Sequence, residues 1–251
     1  MNVAVMATMG TSPPIVTKFI DYLQKTERVS HLSILATKER SVVNGAPLVK
    51  ATLKSRFPSL KVDIHQLAVA DTTNEDENYQ IMEESAKIIT GLKRRYPVLH
   101  ICLAGGRKET VASTITLAQL MGLTSLYHVV SPNIREMNIE LERIRKEIEE
   151  FGESSDPQKY YEEKKNLFEP VLFPSASSYN VIKLPIIPYP ASSMTLLRRL
   201  LGSSGEKVEG VDKSFLKRLK LAGLITFTKD GKIVVTTEGN KLYNHLIRHI
   251  F

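Results

Sequence analysis

Two short segments of the chain combine the residue types that bind phosphate groups. The first is Met9-Gly10-Thr11-Ser12-Pro13-Pro14 and the second is Gly105-Gly106-Arg107-Lys108-Glu109. Glycines let the backbone approach a ligand closely, the two cations attract an anion, and the hydroxyl groups of Thr11 and Ser12 can donate to one. Both segments open helical patterns, and the first amides of a helix are unpaired and carry partial positive charge. Together the segments predict an anion-binding site.

The first segment also has an ordinary structural interpretation. Ser12 before Pro13 is a common way to begin a helix, with the serine as N-cap and no ligand. The second segment is harder to explain without a ligand, because placing two cations beside a buried helix terminus costs free energy unless an anion is bound there. Neither segment has the Gly-x-Gly-x-x-Gly pattern or the Lys-Ser/Thr ending of a P-loop, which disfavours a dinucleotide or a nucleoside triphosphate. We therefore favour an anion site and predict no cofactor.

The elements that must position these segments alternate between strand and helix. Apolar runs rich in β-branched residues, each followed by helical spacing, lie at Asn2–Thr8, His31–Thr37, Leu60–Val69, Val98–Ala104 and Ser125–Ser131. Such runs are typical of strands buried on both faces, which predicts an α/β fold with an open, mainly parallel Rossmann-like sheet and helices on both faces. In the common order 3-2-1-4-5, the segments after strands 1 and 4 meet where ligands bind. Arg40 follows strand 2 and is expected at the same edge of the sheet. Its side chain either contacts a base or ribose of a ligand or is only a solvated surface charge.

Further patterns place a boundary near residue 190. Ile134–Phe151 has the spacing of one long, highly charged helix. Asn180–Tyr189 reads as a strand, and its prolines place it at a sheet edge or exit, because proline cannot donate to a ladder. We predict two domains, residues 1–190 and 191–251.

The second domain has the pattern of a small winged helix-turn-helix. Helical spacing at Met194–Leu201 and Asp212–Ala222 precedes two β-rich runs, Leu224–Thr228 and Ile233–Thr236, and a last helix begins at Glu238. An Asp-Gly pair between the two runs is a hairpin signal. Basic residues outnumber acidic ones by 11 to 5 after residue 194, which either attracts nucleic acid or only keeps a surface soluble.

Composition restricts the setting of the protein. The 251 residues include 42% hydrophobic residues and carry a formal charge of +7, as a globular chain does. A single cysteine, Cys102, excludes a disulfide framework and a zinc site of several thiolates, and suits a reducing compartment. No apolar run approaches the roughly 18 residues of a membrane span. We predict a cytoplasmic protein without membrane contact.

The two loops carry a resemblance to a known family. Ala7-Thr8-Met9-Gly10-Thr11-Ser12-Pro13, Leu103-Ala104-Gly105-Gly106-Arg107-Lys108 and the closing strand Leu184-Pro185-Ile186-Ile187-Pro188 look like the CRISPR-associated Rossmann fold, or CARF, domain over roughly residues 1–190. The resemblance implies a homodimer that binds a cyclic oligoadenylate. A two-fold dimer favours an even-numbered ring such as cyclic tetra-adenylate.

Some CARF proteins, the ring nucleases, cleave this ligand and end type III CRISPR signalling. The glycine-cation loop and Ser12 resemble their pattern, which implies Lys108 and Ser12 as catalytic residues; Gly10, Thr11, Gly105, Gly106 and Arg107 are the expected ligand contacts, with Arg40. Cleavage without a metal is expected, by attack of a ribose 2′-hydroxyl on its own phosphodiester, because the sequence offers no carboxylate cluster for magnesium and no well-placed histidine base. The product is a linear di-adenylate ending in a 2′,3′-cyclic phosphate.

Other interpretations stay open. In one, the chain is a non-cleaving sensor whose winged helix binds DNA when the ring is bound; we expect weak, non-specific DNA binding at most. In another, it is a nucleotide-binding protein unrelated to CRISPR. His245 and His249 have metal-ligand spacing, but we see no Cys, Asp or Glu placed as a third ligand and predict a surface helix end and no metal site.

Overall fold

The computed structural model describes residues 2–68, 72–175, 178–205 and 210–250. One six-stranded sheet has the order β3-β2-β1-β4-β5-β6. Its strands are β1 (Asn2–Met9), β2 (Arg28–Ala36), β3 (Lys61–Gln66), β4 (Val98–Leu103), β5 (Leu126–Val130) and β6 (Asn180–Leu184). The first five are parallel and β6 is antiparallel to β5. The predicted fold class and order are confirmed.

Helices cover both faces of the sheet because β1 is buried on both. They are α1 (Pro14–Leu23), α2 (Arg40–Arg56), α3 (Glu75–Arg95) and α4 (Lys108–Leu120). Val5 and Ala7 pack with α1 and α2, whereas Ala4 and Met6 pack with α3 and α4. This alternation explains the continuous apolar run of the sequence.

Several predicted boundaries differ from the structure; the second strand, for example, begins at Arg28 and not at His31. The third strand ends at Gln66, and Val69 lies outside the described residues. The edge strand ends at Leu184, because Pro185 follows it and has no amide hydrogen to donate. A single helix over Ile134–Phe151 is wrong: the chain leaves helical geometry at Ile144, whose φ is −103° and ψ 13°.

The break at Ile144 separates the first two of four short helices between β5 and β6. These are α5 (Ile134–Arg143), α6 (Arg145–Glu153), α7 (Pro157–Glu163) and α8 (Lys165–Leu172). Met137 of α5 packs against the sheet core, whereas Ile144 and Phe151 pack with Tyr161 and Phe168 in a separate cluster over α2. The change of direction lets the apolar side chains of α5 pack against the sheet core and those of α6 pack in the cluster over α2.

The C-terminal region has the predicted order of helix, helix, hairpin and helix. Its elements are α9 (Ala191–Gly202), α10 (Lys213–Leu221), the antiparallel β7 (Ile225–Phe227) and β8 (Ile233–Val235), and α11 (Thr237–Leu242), which continues through a π-helical turn (Tyr243–Ile247) into α12 (Arg248–Ile250). These elements share a small core of their own. Whether this region is a winged helix and a separate domain remains a prediction. In the described part of the chain, no helix has the length and apolar character needed to span a membrane.

Candidate functional site

The two predicted loops meet at the carboxyl ends of β1 and β4. Thr8 Oγ1 donates a hydrogen bond of 2.6 Å to the carbonyl oxygen of Gly105. A Cβ atom built on Gly10 would lie 2.7 Å from Gly106 N, and one built on Gly105 would lie 2.8 Å from Gly10 N. Gly105 also has φ of +152°, which L side chains rarely adopt. The two backbones therefore touch, and only glycine permits that contact.

A cavity of about 580 Å³ opens over this contact. Six of the eight predicted site residues line it: Gly10, Thr11, Ser12, Gly105, Gly106 and Arg107. The ends of β2 and β5 and the start of α5 complete the wall. The two segments that the strand order was expected to bring together therefore do line one cavity.

Ser12 does not cap the helix that follows it. α1 begins at Pro14 with Pro13 as the N-cap residue, and no side chain accepts a hydrogen bond there. The N-cap interpretation of Ser12 is therefore wrong, because Pro13 takes the cap position. Ser12 lines the cavity, and its hydroxyl makes no hydrogen bond within the part of the chain that the structure describes.

The cations are placed differently from the expectation. Arg107 and Lys108 are both exposed at the start of α4, so water solvates them and no anion is needed to offset burial. Arg107 lines the cavity, whereas Lys108 is not among its lining residues. Arg40 lines a neighbouring cavity and lies 3.8 Å from Glu149 Oε2. The structure thus brings six predicted residues together and leaves Lys108 and Arg40 beside them.

The sequence analysis overlooked a histidine on the cavity wall. His128 of β5 lines the cavity, and its Nδ1 is 3.0 Å from the carbonyl oxygen of Leu103. Because a carbonyl only accepts, Nδ1 carries the hydrogen, and Nε2 of the neutral ring keeps its lone pair. His128 therefore places an imidazole on the cavity wall that the sequence analysis did not expect. The available signal was one polar residue within the apolar run of strand 5, near its carboxyl end.

Lys18 was also missed. This α1 side chain is 1% exposed, with its Nζ 3.8 Å from Met137 Sδ and 5.4 Å from the centre of the Tyr179 ring. Burial lowers its pKa from the usual value. Met137 also lines the 580 Å³ cavity, so a buried amine lies one side chain behind the site.

The histidine pair near the C-terminus does have a carboxylate nearby. His245 Nδ1 lies 3.2 Å from Glu83 Oε2, and His249 Nε2 lies 3.4 Å from Glu83 Oε1. The expectation of no neighbouring acid fails because α3 supplies Glu83 from far away in sequence. Lys87 Nζ occupies the same carboxylate at 2.6 Å, and no metal-binding group of three such side chains exists among the described residues.

Comparisons with known proteins found one matching family and several similar solved structures. The family described as CRISPR-associated protein NE0113 matches residues 12–210, more than half of the chain. Csm6 of Enterococcus italicus, solved bound to cyclic hexa-2′-fluoro-hexa-dAMP, is similar with a TM-score of 0.44 and 13% identity, covering 80% of this chain and 46% of Csm6. Protein VC1899 of Vibrio cholerae is similar with a TM-score of 0.41 and 9% identity, covering 96% and 64%. This chain thus spans about half of Csm6 and under two thirds of VC1899. No protein with curated annotation matches its sequence.

Proposed function

Because the chain belongs to the CRISPR-associated protein NE0113 family, we propose that it is a CARF-type ring nuclease that binds and cleaves cyclic tetra-adenylate. The observation that carries the proposal is the contact between Gly10 and Gly105, which opens two helix N-termini onto one cavity. Backbone amides, the Arg107 guanidinium and the Ser12 hydroxyl on that cavity suit a phosphodiester.

The proposed active form is a symmetric homodimer. One chain supplies one pair of glycine loops, whereas a ring of four nucleotides repeats its phosphates around an axis. Two chains related by a two-fold axis would present the same loops to opposite halves of the ring. Light scattering tests this, and a monomer both with and without ligand would exclude it.

The proposed reaction is attack by a ribose 2′-oxygen on its adjacent phosphorus. A bond forms between that oxygen and phosphorus, the bond from phosphorus to the 5′-oxygen breaks, and a 2′,3′-cyclic phosphate remains. Nε2 of His128 accepts the proton of the attacking hydroxyl, and the 5′-oxygen takes a proton from water. Most of the acceleration then comes from holding the attacking and leaving oxygens in line, with proton transfer added.

Ser12 and Lys108 keep their proposed roles in this scheme. The Ser12 hydroxyl orients the reacting groups from the cavity wall. Lys108 lies outside the wall, but it has a flexible four-carbon stem, and its ammonium counters the charge of the transition state after the ring is bound.

Single-turnover cleavage of cyclic tetra-adenylate in EDTA tests the proposal. Lys108→Ala should slow cleavage by roughly 10² to 10³, and His128→Ala by about 10² to 10⁴, with smaller losses for Ser12→Ala. Lys54→Ala, an exposed lysine near the far end of α2, is the matched control and should cleave at the wild-type rate. Activity that needs an added divalent metal, or wild-type rates in all three site variants, would contradict the mechanism.

A non-cleaving sensor that binds DNA is the second candidate. Helix α10 exposes Lys213, Lys217 and Arg218, and none of the three forms an ion pair with another described residue. Gel shifts with duplex DNA across a salt series test it, because phosphate contacts give a steep salt dependence. Tight, sequence-dependent binding that responds to the ring would favour the sensor over the nuclease.

A further inference from the structure

A second cavity adjoins the first. It has a volume of about 530 Å³ and lies between the N-terminal end of α2 and helices α5 and α6. Thr11 and Glu39 line both cavities, so a single ligand can extend from one into the other.

The charges of this second cavity disfavour a phosphate. Its two arginines already face carboxylates: Arg40 Nη2 is 3.8 Å from Glu149 Oε2, and Arg145 Nη1 is 3.1 Å from Glu142 Oε1. Glu39 adds a third carboxylate, which accepts a hydrogen bond from Ser41 Oγ at 3.0 Å. An anion entering here would meet three carboxylates and no uncommitted arginine. The cavity therefore suits a neutral, polar part of a ligand.

Two amides and two apolar side chains supply what a nucleobase needs. Asn44 and Asn138 line the cavity, and neither side chain makes a hydrogen bond within the described ranges. A carboxamide presents a donor beside an acceptor, which matches the N7 acceptor and the 6-amino donor of adenine. Leu141 and Ile148 provide apolar contact for the flat faces of the base.

The position of the Asn44 amide depends on a neighbouring glycine. A Cβ atom built on Gly152 of α6 would lie 3.0 Å from Asn44 Oδ1. The bare backbone at residue 152 therefore leaves room for the amide at this place. Asn44 is half-buried, which limits the orientations open to its amide.

We propose that this cavity receives an adenine base of the bound ring and that Asn44 reads its edge. The inference rests on the proposed function, since the phosphates of the same ring occupy the glycine loops. Arg40 then serves as the partner of Glu149 in the wall of the base site and makes no phosphate contact.

Calorimetric titration of the full-length protein tests the inference with two probes. These are cyclic tetra-2′-deoxyadenylate, which lacks the attacking hydroxyl, and the corresponding ring with hypoxanthine, which carries an acceptor oxygen in place of the amino group. In the proposed two-fold dimer two Asn44 amides contact one ring, so wild type should bind the adenine ring about 10² to 10⁴ times more tightly, the discrimination expected of two bidentate amide contacts.

Single-residue variants distinguish a loss of the preference for adenine from a general loss of ring affinity. Asn44→Ala should remove most of this preference while binding the hypoxanthine ring within about threefold of wild type. Gly152→Ala, which crowds the amide from behind, should reduce the preference in the same direction. Asn180→Ala, an exposed asparagine of β6 outside both cavities, should retain it.

The outcomes distinguish this inference from the proposed function. If wild type binds both rings equally, or if Asn44→Ala weakens both rings by the same factor, the base site is wrong and the ring-binding function stands. If wild type binds neither ring, both proposals are wrong.

Discussion

Adding one methyl group at Gly10 tests whether the two loops form the site by backbone contact. The new Cβ would lie 2.7 Å from Gly106 N, a distance that forces one loop to move. Such overpacking costs about 1 to 3 kcal/mol of folding free energy. At Gly105 the Cβ would lie 2.8 Å from Gly10 N, and the backbone with φ of +152° adds roughly another 1 to 3 kcal/mol. Gly105→Ala should therefore destabilise the protein more than Gly10→Ala.

Denaturant unfolding and ring binding are both needed to measure this effect. We expect both variants to unfold at lower denaturant concentration and to bind the non-cleavable adenine ring more weakly, because the displaced loop carries the anion contacts. Gly91→Ala is the matched control, since the nearest atom to its new Cβ is Arg95 Nη2 at 4.0 Å and alanine suits the interior of α3. A Gly10→Ala protein with wild-type stability and affinity would refute the reasoning.

Three further predictions concern buried polar groups. Lys18→Met should raise the free energy of unfolding by roughly 1 to 3 kcal/mol, because it removes a buried ammonium that faces a thioether; lower stability in denaturant unfolding would contradict this. Burial lowers the pKa of His31, which lies between Asp63 and Tyr96, so its contribution to stability should be complete above about pH 6.5 and decline below it; wild type and His31→Gln with the same dependence from pH 7 to 5 would contradict this. Tyr79→Phe removes a 2.6 Å hydrogen bond to Glu238 and should speed hydrogen exchange in α11, and unchanged exchange there would contradict it.

The sheet and the loop contact were predictable because local patterns encode them. Burial on both faces leaves a continuous apolar run in a central strand such as β1, and the glycines mark where the backbone must pass closely. The edge position of β6 was predicted from the prolines that follow it. These features depend on residues close together in sequence, which a single chain displays directly.

The parts that were missed depend on contacts between distant segments. The ion pair of Arg40 with Glu149 was not foreseen, because Glu149 comes from helices inserted after β5. Lys108 was placed with Arg107 because they are neighbours in sequence, yet only Arg107 lines the cavity. His128 looked like a strand residue, and the free lone pair of its Nε2 becomes visible only when the end of β4 supplies the carbonyl that fixes its tautomer.

The helix α4 joins the candidate site to the C-terminal region and bears on both candidate functions. Its first residue, Lys108, follows the glycine loop, and Leu120 at its other end packs against the core of the C-terminal region. Gln119 O also accepts a hydrogen bond of 3.0 Å from the amide of Tyr189, just before α9. A ligand that moved the N-terminus of α4 would have a direct route to the C-terminal region through this one packed helix. A sensor needs that displacement for its output, whereas a nuclease needs the loop held still during cleavage, so the response of α4 to the ring separates the two.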